Sequence, residues 1–237
     1  MSTSQFPSGV TLGSWLRGAK RIVTVRRERG QIPYKQTTAL LSPLLETLRL
    51  EAVRPWCQPP AVLDVGCGRA LLADSITESG IDYMGMDRDP DLLAYLRQTK
   101  TQQTFVQADV ADPDFTLSRS FGTVVLAAVL EHLLDPLSVM QKLVPFLVNG
   151  GVIVATTPIR HSDSLLRVGG QLGLFSDTAH DEHEGYLNRD ELITLMENVG
   201  LEVVTYQRFA LGFNQLIVAR RTVKGQRVTA NEPTTSK

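Results

Sequence analysis

Cysteine is scarce in this chain, with Cys57 and Cys67 the only two among 237 residues. Two thiols cannot build a disulfide framework, and the polar opening MSTSQFPSG lacks the positive-then-apolar plan of a secretory leader. A reducing, cytoplasmic setting is therefore expected. Long apolar runs are missing as well: VVLAAVL (124–130) and GGVIVA (150–155) have the length of buried strands, well short of the ~18 residues a membrane span requires. No repeat with a period of about 20 to 50 residues is visible, which excludes a solenoid or propeller. Neither charge sign dominates, at 24 Lys+Arg against 25 Asp+Glu. What remains is an ordinary globular composition, 43% hydrophobic and 21% charged, on a chain long enough to bury one sizeable core.

The balanced total hides a gradient. Residues 1–59 have a net charge of +6, residues 60–219 of −11 and residues 220–237 of +4. A uniformly basic face for gripping phosphates is absent, so nucleic acid is not expected as a partner, and the acidic centre suits a cationic ligand. Near the start, Leu12, Trp15, Leu16, Ala19, Ile22 and Val23 fall at helical spacing among Arg17, Lys20 and Arg21. Residues 12–29 thus read as a basic amphipathic helix. It either packs over the site or meets a membrane surface or an acidic partner.

From residue 60 onward a strand-then-helix rhythm takes over. AVLDV (61–65), DYMGMD (82–87), TFVQAD (104–109), GTVVLAAV (122–129) and GVIVATT (151–157) read as strands, separated by helix-like RALLADSITES, PDLLAYLRQ and DPLSVMQKLVPFLV. Pro145 should strain the last of these near its end. Asn188 with Glu191 forms a capping-box start for ELITLMENV, and LEVVTYQRF and NQLIVARR read as a closing β-hairpin. Apolar strands alternating with helices predict an α/β fold: a doubly wound, mostly parallel sheet covered on both faces. The expected organisation is a basic helical extension (1–59), including a helix over 37–56, then a sheet domain (60–221) with an insertion at 159–187, and a polar tail (222–237).

In an open parallel sheet, ligands bind beyond the carboxyl ends of the strands. The first such loop is Asp64-Val65-Gly66-Cys67-Gly68-Arg69-Ala70, the second strand ends at Asp87, and the third ends at Asp109. Glycines let a ligand approach the backbone closely, and a strand-end carboxylate can accept both hydroxyls of a ribose. A dinucleotide fits poorly. Its loop needs glycine or alanine where Leu71 stands, and Asp64 would repel a pyrophosphate. S-adenosylmethionine, with a sulfonium, an ammonium and no phosphate, reverses that electrostatic preference.

The segments VLDVGCGRA, MDRD, QADV, LEHLLDP, LVPFLVNGGVIVATTP and HEGYLNRDELITLMENVGLEVV together resemble the class I S-adenosylmethionine-dependent methyltransferases. Within them the chain is most similar to the small-molecule branch that includes the quinone-biosynthesis methyltransferases. The resemblance implies a Rossmann-like, seven-stranded sheet with an antiparallel last strand and S-adenosyl-L-methionine as cofactor. It implies that Gly66 and Gly68 line the methionine part, Asp64 orients the amino group, Asp87 binds the ribose and Asp109 the adenine amino group. Cys67, Arg88, Val110 and Ala127 complete the expected cofactor-binding set. Ala70 departs from the family, which usually has a third glycine there.

Methyl transfer needs alignment above all, and a hydroxyl acceptor benefits from a base working near neutral pH. His132, just past the fourth strand, and His161, just past the fifth, are the candidates. Arg160, His183 and Tyr186 of the insertion are expected at the acceptor, because so long a connection commonly carries function. His180, Asp181 and His183 lack an i, i+4 pair, so no metal is expected. The expected reaction is methylation, at oxygen, of a small, partly apolar metabolite. An RNA or protein methyltransferase, or a cofactor-binding protein without turnover, is the alternative.

Overall fold

The computed structural model describes residues 42–159 and 187–222, together with the isolated Gly13. The basic stretch 12–29, apart from Gly13, most of the 159–187 insertion and the tail beyond Thr222 lie outside the described residues.

Seven strands form one sheet in the order β3-β2-β1-β4-β5-β7-β6. They are β1 (Ala61–Val65), β2 (Asp82–Asp87), β3 (Thr104–Gln107), β4 (Phe121–Ala127), β5 (Leu147–Pro158), β6 (Leu201–Phe209) and β7 (Asn214–Arg221). The first five run parallel, whereas β7 pairs antiparallel with both β5 and β6. This is the architecture expected, including the closing hairpin.

Consecutive strand residues point to opposite faces, and both faces are buried. On one, Val62, Val125, Val154 and Leu216 meet α1 (Ser42–Val53), α2 (Ala73–Glu78) and α3 (Pro90–Thr99) through Leu48, Ala52, Ile76 and Leu92. On the other, Leu63, Val124, Ile153 and Ile217 meet α4 (Pro136–Leu143) and α5 (Arg189–Asn198) through Val139, Met140, Leu192 and Met196. Helix α1 leads to the sheet through a 3-10 turn, Arg54–Trp56.

Several boundaries differ from expectation, each for a local reason. Pro145 ends the fourth helix early: α4 stops at Leu143, a 3-10 turn spans Val144–Phe146, and β5 begins at Leu147. Helix α2 starts at Ala73 instead of Arg69, because Gly66, Gly68 and Ala70 all hold positive φ and keep the loop out of helical geometry.

The capping box on α5 is present. Asn188 Oδ1 accepts from Asp190 N at 2.9 Å and Glu191 N at 3.0 Å, and Glu191 Oε2 accepts from Asn188 N at 2.7 Å. Asn188→Ala removes the cap and is expected to cost about 1 kcal/mol, read as a lowered urea midpoint with unchanged slope.

Candidate active site

Register decides which side chains share the sheet edge. Val65 pairs with Met86 on one side and Leu126 on the other, so the next residues along, Gly66, Asp87 and Ala127, stand level. Asp87 pairs in turn with Gln107, and Ala108 N donates to Asp87 O at 3.1 Å. Asp109 therefore lies two residues past the end of β3, in the adjoining loop.

The β1–α2 loop rises over this edge. Gly66 has a φ of +63°, and a Cβ there would press on Val129 Cγ2 at 3.0 Å, so a side chain at this position would strain the backbone and displace the Val129 methyl. Cys67 N donates to Met86 O at 2.9 Å, and Gly68 N donates to Asp87 Oδ2 at 3.0 Å. Ala70 takes the left-handed conformation a third glycine would adopt, at φ +49°. The Cys67 thiol is buried over Gly85, where a Cβ would come within 2.9 Å of its Sγ. Burial pushes its pKa up, as it does for Cys57. Both are packing thiols rather than nucleophiles.

The three aspartates have different surroundings. Asp64 is only 5% exposed, and Tyr83 Oη donates to its Oδ2 at 2.6 Å. Burial raises the Asp64 carboxyl to about 7, the Tyr83 hydrogen bond opposes that rise, and the negative charge of Asp87 adds to it. Asp87 is half-buried, with Oδ1 accepting from Arg88 N at 2.7 Å and Asp89 N at 3.2 Å. With Gly68 N on Oδ2, three of its roughly four acceptor positions are in use. Asp109 Oδ1 accepts from Ala111 N at 2.8 Å, while its Oδ2 lies 3.7 Å from the Arg88 guanidinium. Val110 beside it is buried in the core.

Past β4, Ala128 has a φ of +59° and donates its N–H to Thr156 O at 2.9 Å. The chain then turns through Leu130–His132. Glu131 is 1% exposed, whereas His132 is exposed. Burial raises the Glu131 carboxyl, offset in part by the charge of Arg49, whose Nε donates to Asn214 Oδ1 at 2.9 Å. Arg160, His161, His183 and Tyr186 lie outside the described residues. Among the described residues, no three His, Cys, Asp or Glu side chains gather to hold a metal, and no helix is long and apolar enough to cross a membrane.

A family profile described as a methyltransferase domain matches residues 34–206. The chain belongs to this family. Among related sequences, this methyltransferase-family chain is 30% identical over 148 residues to the ubiquinone biosynthesis O-methyltransferase of Vibrio vulnificus (strain YJ016). That match covers 59% of this chain and 63% of the relative. Among solved structures, an S-adenosylmethionine-dependent methyltransferase from Mesorhizobium loti superposes with a TM-score of 0.60 at 18% identity, over 74% of this chain and 97% of that one. The magnesium protoporphyrin IX methyltransferase of Synechocystis PCC 6803, solved with bound S-adenosylhomocysteine, gives 0.53 at 13% identity, over 94% and 89%. The fold is thus the Rossmann-like fold of S-adenosylmethionine-dependent methyltransferases.

The residues of this methyltransferase domain fit such a cofactor. Glycine and alanine at left-handed positions clear one sheet edge, where Asp87 stands with Asp109 in the next loop, while Asp64 is buried two residues back along β1 against the Tyr83 hydroxyl. Composition and spacing did not single out Tyr83 or Arg49. Tyr83 is the polar tip in the buried stretch Tyr83–Met86 between two strand-end aspartates, which was its only signal.

Proposed function

We propose that this methyltransferase transfers a methyl group from S-adenosylmethionine to an oxygen of a small, partly apolar acceptor such as a phenol of a quinone precursor. The observation that carries the donor half is the level alignment of Gly66, Asp87 and Ala127, with Asp109 in the next loop. The acceptor half is supported by the similarity to the Vibrio relative.

Bound S-adenosylmethionine supplies an electrophilic methyl group on its sulfonium. Gly66, Cys67 and Gly68 would line the methionine part, Asp64 would balance its ammonium, Asp87 with Arg88 would take the ribose side, and Asp109, Val110 and Ala127 would border the adenine. These residues do the orienting, which accounts for most of the rate enhancement such a displacement needs. His132 takes the proton of the acceptor hydroxyl, or His161 does from the following loop, with Arg160, His183 and Tyr186 against the acceptor. Glu131 is buried in the same turn that carries His132. The fold domain is 60–221, and the basic segment 12–29 contacts either this site or an acidic surface.

Formation of S-adenosylhomocysteine from a panel of catechols, quinols, alcohols and amines tests the reading. Turnover with hydroxyl acceptors supports it. Turnover only with amines, or binding of the donor without turnover on any acceptor, overturns the oxygen assignment. His132→Ala is expected to lower kcat while leaving S-adenosylhomocysteine affinity unchanged, and a normal kcat removes His132 as the base.

A further inference from the structure

Lys142 sits in the last turn of α4, where a lysine ordinarily extends into water. Its ammonium instead turns onto the loop after β3. Nζ donates to Val110 O at 3.3 Å, Ala111 O at 2.9 Å and Asp112 O at 2.7 Å. An ammonium has three N–H groups, and here each has a backbone carbonyl from one run of three consecutive residues. These are charge-assisted bonds, stronger than neutral ones.

The loop so held is the one that bears Asp109. Within it, Asp109 Oδ1 accepts from Ala111 N at 2.8 Å and Asp112 N donates to Asp109 O at 3.1 Å, which closes a tight turn. Val110 is buried in the same core cluster as Val139, Met140 and Leu143 of α4, and Phe115 meets Phe146 edge to face at 5.9 Å. Apolar contacts therefore attach this segment to α4 and the 3-10 turn after it, and bonds such as Phe115 N to Asp112 O at 3.2 Å shape the turn from within, but these do not tie its carbonyls to the helix. The lysine does. Three convergent bonds hold the 110–111, 111–112 and 112–113 peptides against α4, and the first of these peptides carries the Ala111 N–H that orients the Asp109 carboxylate.

We propose that Lys142 is a positioning residue for the adenosine end of the donor site, acting through the 109–112 loop without touching the ligand. The inference rests on the cofactor reading given above. It separates from a purely structural role because it predicts which part of the ligand is affected. Lys142→Met removes all three bonds while keeping an apolar stem of similar length.

Titration calorimetry of the full-length protein with S-adenosylhomocysteine and with 5′-methylthioadenosine, which lacks the amino-acid part, provides the test. Lys142→Met is expected to weaken both ligands by the same factor, roughly tenfold. KM for the donor should rise in parallel, with kcat at saturating donor unchanged. Lys142→Arg, which retains several N–H donors, should recover part of the loss. Unchanged affinities in a folded Lys142→Met protein, or a loss confined to S-adenosylhomocysteine, would overturn the proposal. If the methionine variant is not recovered folded, Lys142→Gln replaces it, with an intermediate loss in both ligands expected and an equal-to-wild-type affinity overturning. Failure of the wild-type protein to bind either ligand is a separate result, which defeats the cofactor reading itself.

Discussion

Asp87→Ala is expected to raise the dissociation constant for S-adenosylhomocysteine by about ten- to a hundredfold, the loss associated with hydrogen bonds to a charged acceptor. The effect has two sources. The carboxylate would accept from the ribose at its remaining position on Oδ2, and it already holds the glycine loop through Gly68 N. Removing it therefore costs ligand contact and loosens the loop together. Asp87→Asn separates the two: its amide oxygen can keep one N–H bond but not the full set, so an intermediate loss is expected. Titration calorimetry on both variants decides the matter. Wild-type affinity in Asp87→Ala would take this residue out of the donor site.

Affinity for S-adenosylhomocysteine is also expected to rise about tenfold per pH unit as pH increases toward about 7, then to level off. The cause is Asp64, whose carboxyl burial raises to about 7. At pH 6 the unliganded protein holds Asp64 mostly protonated, and a ligand ammonium placed beside it favours the carboxylate, so binding expels a proton. The groups acting on Asp64 are the Tyr83 hydroxyl and the Asp87 carboxylate. The thiols of Cys57 and Cys67 lie close enough for Asp64 to raise them in turn. Calorimetry in buffers of different protonation enthalpy should record release of about one proton at pH 6 and almost none at pH 8. Asp64→Asn should abolish both the slope and the release. Stability of the unliganded protein runs the other way. A folded pKa above the unfolded value of about 3.9 makes a contribution that is complete below pH 4 and lost as pH rises through about 7. Equal affinity of the wild type at pH 6 and pH 8 would remove Asp64 from the ammonium.

Much of this molecule could be read along the chain, because its main signals are local. Apolar runs such as AVLDV and GVIVATT mark strands buried on both faces, Asn188 and Glu191 mark a helix start, and strand-end acids mark the edge where ligands bind. Helix ends near Ala70 and Pro145 were harder. Alanine rarely takes positive φ, so nothing in Arg69-Ala70-Leu71 announced that the turn would persist to Leu72. Pro145 announced strain but not that β5 would start two residues later. The partners that set the chemistry were illegible for a different reason. Tyr83 meets Asp64 across 19 residues, Arg49 meets Asn214 across 165, and Lys142 reaches carbonyls some 30 residues away. Such pairs depend on which helix covers which face, and no spacing rule encodes that. His161, Arg160, His183 and Tyr186 lie outside the described residues and stand as proposals.

The reversed direction of β7 has a practical consequence. It starts at Asn214 opposite Pro158, at the carboxyl end of β5, and runs back to Arg220 opposite Val152. Arg221 is then fastened at that far end by its guanidinium, which donates to the carbonyls of Val144, Pro145 and Leu147. Whatever is joined to the chain after Thr222, whether an affinity tag, a fluorophore or a solid support, sets out from the rim opposite the strand ends that lead to Gly66, Asp87 and Ala127.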